Sequence, residues 1–262
     1  MSHASAVGML IDVTRCIGCN QCVDACAQAN NLGQDTPAPQ DSPDGLSARR
    51  WNTVLMGPAG RYVRKQCRHC LEPACVSACP VGAMHKTPEG PVIYDSSKCL
   101  GCRYCMMACP YGIPRYQWDA LAPLVRKCTL CYERLQAGKW PACVDACPAQ
   151  ATIFGTRREL LAEAHHRLET EPRRYLQTVF GENEVGGTSV LYISDVPLDF
   201  LARGHLGHEP LPALTEVVMG KIPPVALGVA ALMGGLYWII DRRMRLMGGH
   251  PAPVEHEHEI DS

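Results

Sequence analysis

Sixteen cysteines in 262 residues, set out as four groups of four, constrain this chain more than any hydrophobic pattern in it. Cys16, Cys19, Cys22 and Cys26 read C-x2-C-x2-C-x3-C, and Cys67, Cys70, Cys75 and Cys79 read C-x2-C-x4-C-x3-C, closing on Pro80. Cys99, Cys102, Cys105 and Cys109 repeat the first spacing and close on Pro110. Cys128, Cys131, Cys143 and Cys147 read C-x2-C-x11-C-x3-C and close on Pro148. The second and fourth groups share one plan, with the third cysteine displaced by an insertion. With only 3 Phe and 4 Trp against 21 Pro and 23 Gly, a large aromatic core cannot hold such a chain together, and the cysteines must act as its staples. A balance of 25 Lys+Arg against 26 Asp+Glu lacks the electrostatic footprint of a nucleic-acid binder, so no nucleic-acid partner is expected.

Zinc, disulfides and iron–sulfur clusters all use cysteine. Zinc takes one tetrahedral set, usually two C-x2-C pairs separated by a longer loop, and Cys16–Cys26 packs four cysteines into eleven residues. C-x2-C pairs are not typical structural disulfides outside redox motifs. The first and third groups instead match the bacterial ferredoxin run. In that arrangement three cysteines wrap one cube, and the fourth, after a helix-like turn, ligates a neighbouring cube. Proline after the fourth stops the turn from continuing as a helix. Sixteen thiolates at four per cube predict four [4Fe-4S] clusters, and because every ligand position is cysteine, nothing suggests a three-iron centre.

Short β-like runs lie beside the groups: Met9-Leu10-Ile11, Arg61-Tyr62-Val63, Pro91 to Tyr94 and Ala151 to Phe154. Strand, cysteine-bearing turn and short helix, repeated, predict an α+β fold of two interleaved, bacterial-ferredoxin-like dicluster units. The two middle groups are close in sequence and form an inner unit, about 61–115, inserted in an outer unit. The ferredoxin rule of fourth-ligand exchange then assigns Cys16, Cys19 and Cys22 with Cys147, and Cys128, Cys131 and Cys143 with Cys26. The inner unit takes Cys67, Cys70 and Cys75 with Cys109, and Cys99, Cys102 and Cys105 with Cys79. No catalytic residue is assigned.

The four-cluster head is expected over residues 1–155, with a helix and extended arm over 156–220. Asn31 to Gly60, rich in Pro, Asp, Gly and Ser, reads as a long surface loop, either a partner contact or a plain insertion. Thr156 to Glu159 is a capping box opening an amphipathic helix to about Thr170, closed by Pro172. His165 and His166 on that helix point about 100° apart, which favours a solvated face over a haem or metal site. Lys65, Arg68, Lys98, Arg103, Arg126 and Lys127 flank the cysteine groups, where positive charge would raise a cluster's potential, although ordinary surface charge explains most such residues.

Ile222 to Ile240 runs 19 residues without a charge, about 28 Å as a helix, close to the hydrocarbon thickness of a bilayer. Pro223 and Pro224 suit a first turn, and Tyr237 and Trp238 suit an aromatic belt. A single transmembrane helix over 221–241 is expected rather than a buried core helix, with 242–262 as a cytoplasmic tail. Ala226, Ala230 and Gly234 make a small-residue stripe suited to packing on another helix, and the segment has no histidine to ligate haem. Arg242, Arg243 and Arg245 after it, against Lys221 before it, place the C-terminus in the cytoplasm and the head in the periplasm. Met1 to Arg15 has neither a basic start nor a long apolar run, so no signal peptide is read there, and export implies travel with a signal-bearing partner.

The stretches Cys67-Arg68-His69-Cys70-Leu71-Glu72-Pro73-Ala74-Cys75, Cys102 to Tyr111, Cys128-Thr129-Leu130-Cys131, Phe154 to Leu160 and Gly186-Gly187-Thr188 carry a family resemblance. Over about residues 7–245 the chain resembles the four-cluster iron–sulfur (β) subunit of membrane-bound respiratory oxidoreductases, of the formate dehydrogenase N and hydrogenase 2 types. The resemblance implies a wire passing single electrons between a catalytic subunit, molybdenum/tungsten or NiFe, and an integral membrane subunit that handles quinone. It also implies a periplasmic head. The formate dehydrogenase type lacks its own signal, as read here, whereas the hydrogenase type normally carries one.

No nucleophile–base set or Gly-rich phosphate loop appears, which supports a non-catalytic electron-transfer subunit. A self-contained reductase would need an open iron site, and sixteen cysteines leave none. A soluble polyferredoxin with a core helix is the remaining alternative. Anaerobically purified protein is expected to carry about 16 Fe and 16 sulfide per chain. A colorimetric iron assay giving half that would exclude four cubes.

Overall fold

The computed structural model describes residues 6–33 and 44–248. The Gln34 to Pro43 part of the expected loop and the tail beyond Gly248 lie outside the described residues. The chain divides into two compact units, Met1–Ala213 and Leu214–Ser262.

The strands are β1 (Val7–Asp12), β2 (Thr53–Met56), β3 (Tyr62–Lys65), β4 (Met84–Lys86), β5 (Val92–Tyr94), β6 (Arg115–Tyr116), β7 (Val125–Arg126), β8 (Thr152–Thr156) and β9 (Val190–Ile193). The helices are α1 (Gln21–Ala29), α2 (Ala74–Ser77), α3 (Tyr104–Ala108), α4 (Tyr132–Gln136), α5 (Ala142–Asp145), α6 (Arg157–Thr170), α7 (Leu211–Met219) and α8 (Ile222–Leu246). β1 is the middle of a three-stranded sheet, antiparallel to β8 with Val7 opposite Thr156, and parallel to β9 with Met9 opposite Val190. A strand covered on both faces must be apolar throughout, which is why Met9-Leu10-Ile11 runs without alternation. Met9 and Ile11 face a core with Val63, Leu130, Cys143, Val144 and Tyr192, while Leu10 faces α6 through Leu160, Ala164 and Leu168. The sheet therefore divides a core on the cysteine side from a helical cover.

The capping box of α6 forms, with Thr156 N–H donating to Glu159 Oε2 at 3.0 Å and Glu159 N–H to Thr156 Oγ1 at 3.4 Å. β9 is a strand that the sequence reading did not assign; its apolar run Val190-Leu191-Tyr192-Ile193 comes after Gly186-Gly187-Thr188 rather than beside a cysteine group. The Asn31 to Gly60 stretch is not surface loop throughout. β2 pairs with β3, Thr53 opposite Lys65, and Leu46 and Asn52 are buried. Asp44 anchors this segment by binding Arg115 at 2.7 Å and Lys65 at 2.9 Å.

In the second unit α8 is 25 residues, about 37 Å, with Pro223 and Pro224 in its first turn where missing N–H groups cost nothing. The helical span Leu211–Leu246 reaches a mean hydropathy of 1.7 over its most apolar window, and none of that window is buried inside the protein. Arg243 and Arg245 sit in the last turn, where cations favour the helix dipole, and Arg245 pairs with Asp241 at 2.8 Å.

Asp12 ties the sheet to its helical cover. It is 1 % exposed and accepts from Thr14 N–H at 3.0 Å, Tyr175 Oη at 2.8 Å and Arg167 Nη1 at 3.2 Å. Asp12→Ala leaves the Tyr175 hydroxyl without its acceptor and takes one of two carboxylates from Arg167, which keeps Glu163 at 2.7 Å, and is expected to cost about 3 kcal/mol. In a thermal melt followed by visible cluster absorbance, that lowers Tm by roughly 6–12 °C.

Candidate metal centres

Each cysteine group opens on the same local device. The residue two beyond the first cysteine is left-handed in all four: Gly18 (φ 72°), His69 (47°), Gly101 (71°) and Leu130 (58°). That conformation folds the backbone N–H back onto the sulfur, so Gly101 N–H donates to Cys99 Sγ at 3.3 Å and Leu130 N–H to Cys128 Sγ at 3.4 Å. Gly18 is required twice over, since a Cβ there would also lie 2.7 Å from the Tyr62 ring. His69 and Leu130 are fully buried and are held in the strained conformation by packing. Burial, then Lys127 and Lys86, push the His69 imidazole well down, so it is neutral, and Nδ1 accepts from Val92 N–H at 2.9 Å.

Three of the four groups close on a second device. After Cys79, Cys109 and Cys147, proline ends the helix and the third residue on, Gly82, Gly112 or Gln150, is left-handed. The turn aims N–H groups at the sulfur: Met84 at Cys79 Sγ and Ile113 at Cys109 Sγ, both 3.5 Å, and Ala151 at Cys147 Sγ, 3.3 Å. At Cys79 burial raises the thiol, but backbone N–H groups from Val81 to Met84 outweigh it and bring the thiol below its ordinary value. Cys26 is succeeded by Ala27 rather than proline, so α1 runs on to Ala29, and the Asn30 side-chain amide donates to Cys26 Sγ at 3.6 Å instead. Asn30 was not picked out from the sequence; the missing proline was the available signal.

Cys16, Cys19, Cys22 and Cys147 line one cleft together with Arg64. Cys26 neighbours Cys131 and Cys143, and Cys128 neighbours Cys26, Cys131 and Cys143. Cys70 neighbours Cys67, Cys75 and Cys109, and Cys105 neighbours Cys79, Cys99 and Cys102. Electrostatic interactions link the four gatherings in a row: Cys143 acts on Cys22, Cys67 on Cys128, and Cys105 on Cys75. All sixteen cysteines are free of disulfides. Among the described residues no three His, Cys, Asp or Glu converge as one metal ion needs. Sulfurs on a tetrahedral zinc with bonds of about 2.3 Å would lie roughly 3.8 Å apart. Burial pushes Cys26 and Cys75 up to about 12 and Cys105 up to about 11, so the metal-free thiols are protonated and loading must release protons.

A 4Fe-4S binding domain matches residues 14–29 and a 4Fe-4S dicluster domain matches residues 59–157, between them covering every cysteine. The chain is 36 % identical over 98 % of its length to the hydrogenase-2 operon protein HybA of Escherichia coli O157:H7, spanning 93 % of that protein. It is 37 % identical over 73 % of its length to the nitrate-inducible formate dehydrogenase iron–sulfur subunit of Escherichia coli K12, spanning 69 % of that one. A protein of Nitratidesulfovibrio vulgaris is 42 % identical over 95 % of this chain and 71 % of its own length. The chain belongs to this family of iron–sulfur subunits.

The iron–sulfur subunit also buries cations among its cysteines. Arg64, Arg68 and Lys127 are 3 %, 6 % and 2 % exposed, and among the described residues none of them pairs with a carboxylate. Lys127 Nζ donates to the Val92 carbonyl and to Cys128 O at 2.9 Å, and Arg68 lies over Tyr192 at 3.9 Å and Tyr111 at 5.0 Å. Buried charge without a partner is not tolerated, so these cations fit a site that brings its own negative charge, as thiolate-ligated clusters do. Of the flanking basic residues singled out in the sequence, only Arg68 and Lys127 are buried. Lys65 and Lys98 pair with Asp44 and Asp95, Arg103 stacks over Tyr116 and Trp118, and Arg126 is half-buried. His165 bonds Glu182 at 3.1 Å on an exposed face.

Proposed function

We propose that this iron–sulfur subunit relays electrons through four [4Fe-4S] clusters between a catalytic subunit, formate dehydrogenase-like or NiFe hydrogenase, and an integral membrane quinone-reactive subunit. The row of four cysteine gatherings carries the reading. Its outer members include the exposed Cys19 and Cys102, within reach of partners, while Cys67, Cys128 and Cys143 in the middle are buried. Bound, each cube supplies a one-electron redox centre. The protein's own part is to hold sixteen sulfurs, donate N–H groups to them and bury cations beside them, which favours the reduced state.

The ligand sets proposed are Cys16, Cys19, Cys22 with Cys147; Cys128, Cys131, Cys143 with Cys26; Cys67, Cys70, Cys75 with Cys109; and Cys99, Cys102, Cys105 with Cys79. Their support is the mutual proximity of the cysteines within each gathering. The pairing of β1 with β8 and the packing of α1 on α5 join the chain's first and last groups, which supports one dicluster unit inserted in another, about 61–115 within 1–155. Residues 156–220 then form the helix and arm, and α8 provides the transmembrane anchor. The head is assigned to the periplasm and the tail, 242–262, to the cytoplasm, on the arginines after α8. The alternatives are a soluble polyferredoxin-type carrier and the β subunit of another molybdopterin oxidoreductase.

The ligand sets make a counting prediction. Losing Cys16 and Cys147 together is expected to remove one cube and leave about 12 Fe, whereas losing Cys16 and Cys26 together removes two and leaves about 8. The reverse, about 8 Fe after losing Cys16 and Cys147 and about 12 Fe after losing Cys16 and Cys26, would refute the exchange.

A tagged pull-down from mildly solubilised membranes, with co-purifying chains identified by mass spectrometry, tests the function. A molybdenum or tungsten subunit, or NiFe hydrogenase subunits, together with a membrane subunit, is the expected result. Recovery without partners from a well-behaved preparation would favour the polyferredoxin.

A further inference from the structure

Arg64 stands where the first two cysteine sets meet. It lines the cleft of Cys16, Cys19, Cys22 and Cys147, and its Nη1 donates to the Cys143 carbonyl at 3.4 Å in the next set. Its guanidinium also reaches the Cys22 and Cys143 sulfurs. Nη2 faces Met9 Sδ at 3.5 Å, and Nε is buried without any hydrogen-bond partner. The cysteines its charge acts on, Cys16, Cys22, Cys26 and Cys143, all belong to these two sets. Arginine does not lose its proton in proteins, so the charge cannot be removed by neutralising the group. β3 fixes it there: Arg64 is one residue from the end of a strand paired with β2, and its own carbonyl accepts from Tyr192 Oη at 2.8 Å.

We propose that Arg64 is a fixed positive charge shared by the first two clusters, a positioning residue that raises both of their reduction potentials together. The inference rests on the relay reading and on the ligand sets given above. Adding an electron to either cluster increases the negative charge facing the guanidinium, so the reduced form gains more from Arg64 than the oxidised form does. One cation between two sites also offsets the repulsion that the second electron meets once the first is in place.

The test is an EPR-monitored redox titration of the complex carrying Arg64→Met, Arg64→Gln or Arg64→Lys, with iron counted in each. In the neutral variants two of the four midpoints are expected to fall and two to stay, each fall being a tenfold or larger change in the one-electron equilibrium, about 59 mV or more. Arg64→Lys is expected to restore both. Loss of iron from two sites in the neutral variants with full iron in Arg64→Lys would equally show a charge shared by two clusters. Full iron with all four midpoints unmoved overturns the inference, as does a shift of one midpoint alone or of all four alike. Arg64→Lys behaving like Arg64→Met would make the role one of packing. A wild-type complex with fewer than four reducible centres would overturn the relay reading itself, which separates the two failures.

Discussion

A protein that carries sulfur ligands in its interior has to solve one electrostatic problem before any other: the negative charge it is built to accept must be answered by donors and cations already in place. The turns around the cysteines provide the donors. Left-handed residues at Gly18, Gly101 and Leu130 bend N–H groups toward the first sulfur of their groups, and the turns after Cys79, Cys109 and Cys147 do the same for the last. The interior provides the cations, with Arg64 between the first two sets and Lys127 bonded to Cys128 O while acting on Cys75 in the next set. Among the described residues these cations have no carboxylate partner, and in a metal-free chain their burial would be a standing cost. Folding and loading are therefore coupled, because the protein that is stable is the one whose clusters answer its buried charge.

The sheet makes this arrangement possible. β1 begins just before the first cysteine group and β8 just after the last, and their pairing draws together segments separated by most of the cysteine-bearing chain. The polar faces of the turns can then meet over a core of Met9, Ile11 and Tyr192, with α6 covering the other side. Asp12 closes the joint, since its carboxylate collects Thr14, Arg167 and Tyr175 at the point where β1 runs into the first cysteine turn.

Much of this was legible because cysteine spacing and left-handed turns are local. The strands beside the cysteine groups and the capping box of α6 were read within a residue or two. The illegible parts depend on distant partners. β9 carries no cysteine and becomes a strand only because β1 needs a second neighbour. The β2 hairpin lies in a stretch whose prolines and glycines read as loop, yet Thr53 to Met56 pairs because β3 offers an edge. Arg64 is not among the basic residues singled out in the sequence, where the β-like run ends at Val63; its burial comes from the three-dimensional gathering of Cys22 and Cys143, which lie 42 and 79 residues from it.

The first and third groups show how far one residue can redirect an identical spacing. Both read C-x2-C-x2-C-x3-C, yet α1 extends over nine residues and α3 over five. The difference lies in the residue after the fourth cysteine. Pro110 lacks the N–H that would continue α3, so the chain turns and wraps Cys109 with backbone donors. Ala27 has no such restriction, α1 continues, and the turn that would have wrapped Cys26 never forms. The donor is restored one helical turn later by Asn30, which reaches back to both the sulfur and the carbonyl of Cys26. The longer helix in turn packs against α5, the element that carries Cys143. The loss of a proline thus trades a backbone donor for a side-chain one and gains a helix–helix contact that brings Cys26 to Cys143, Cys131 and Cys128.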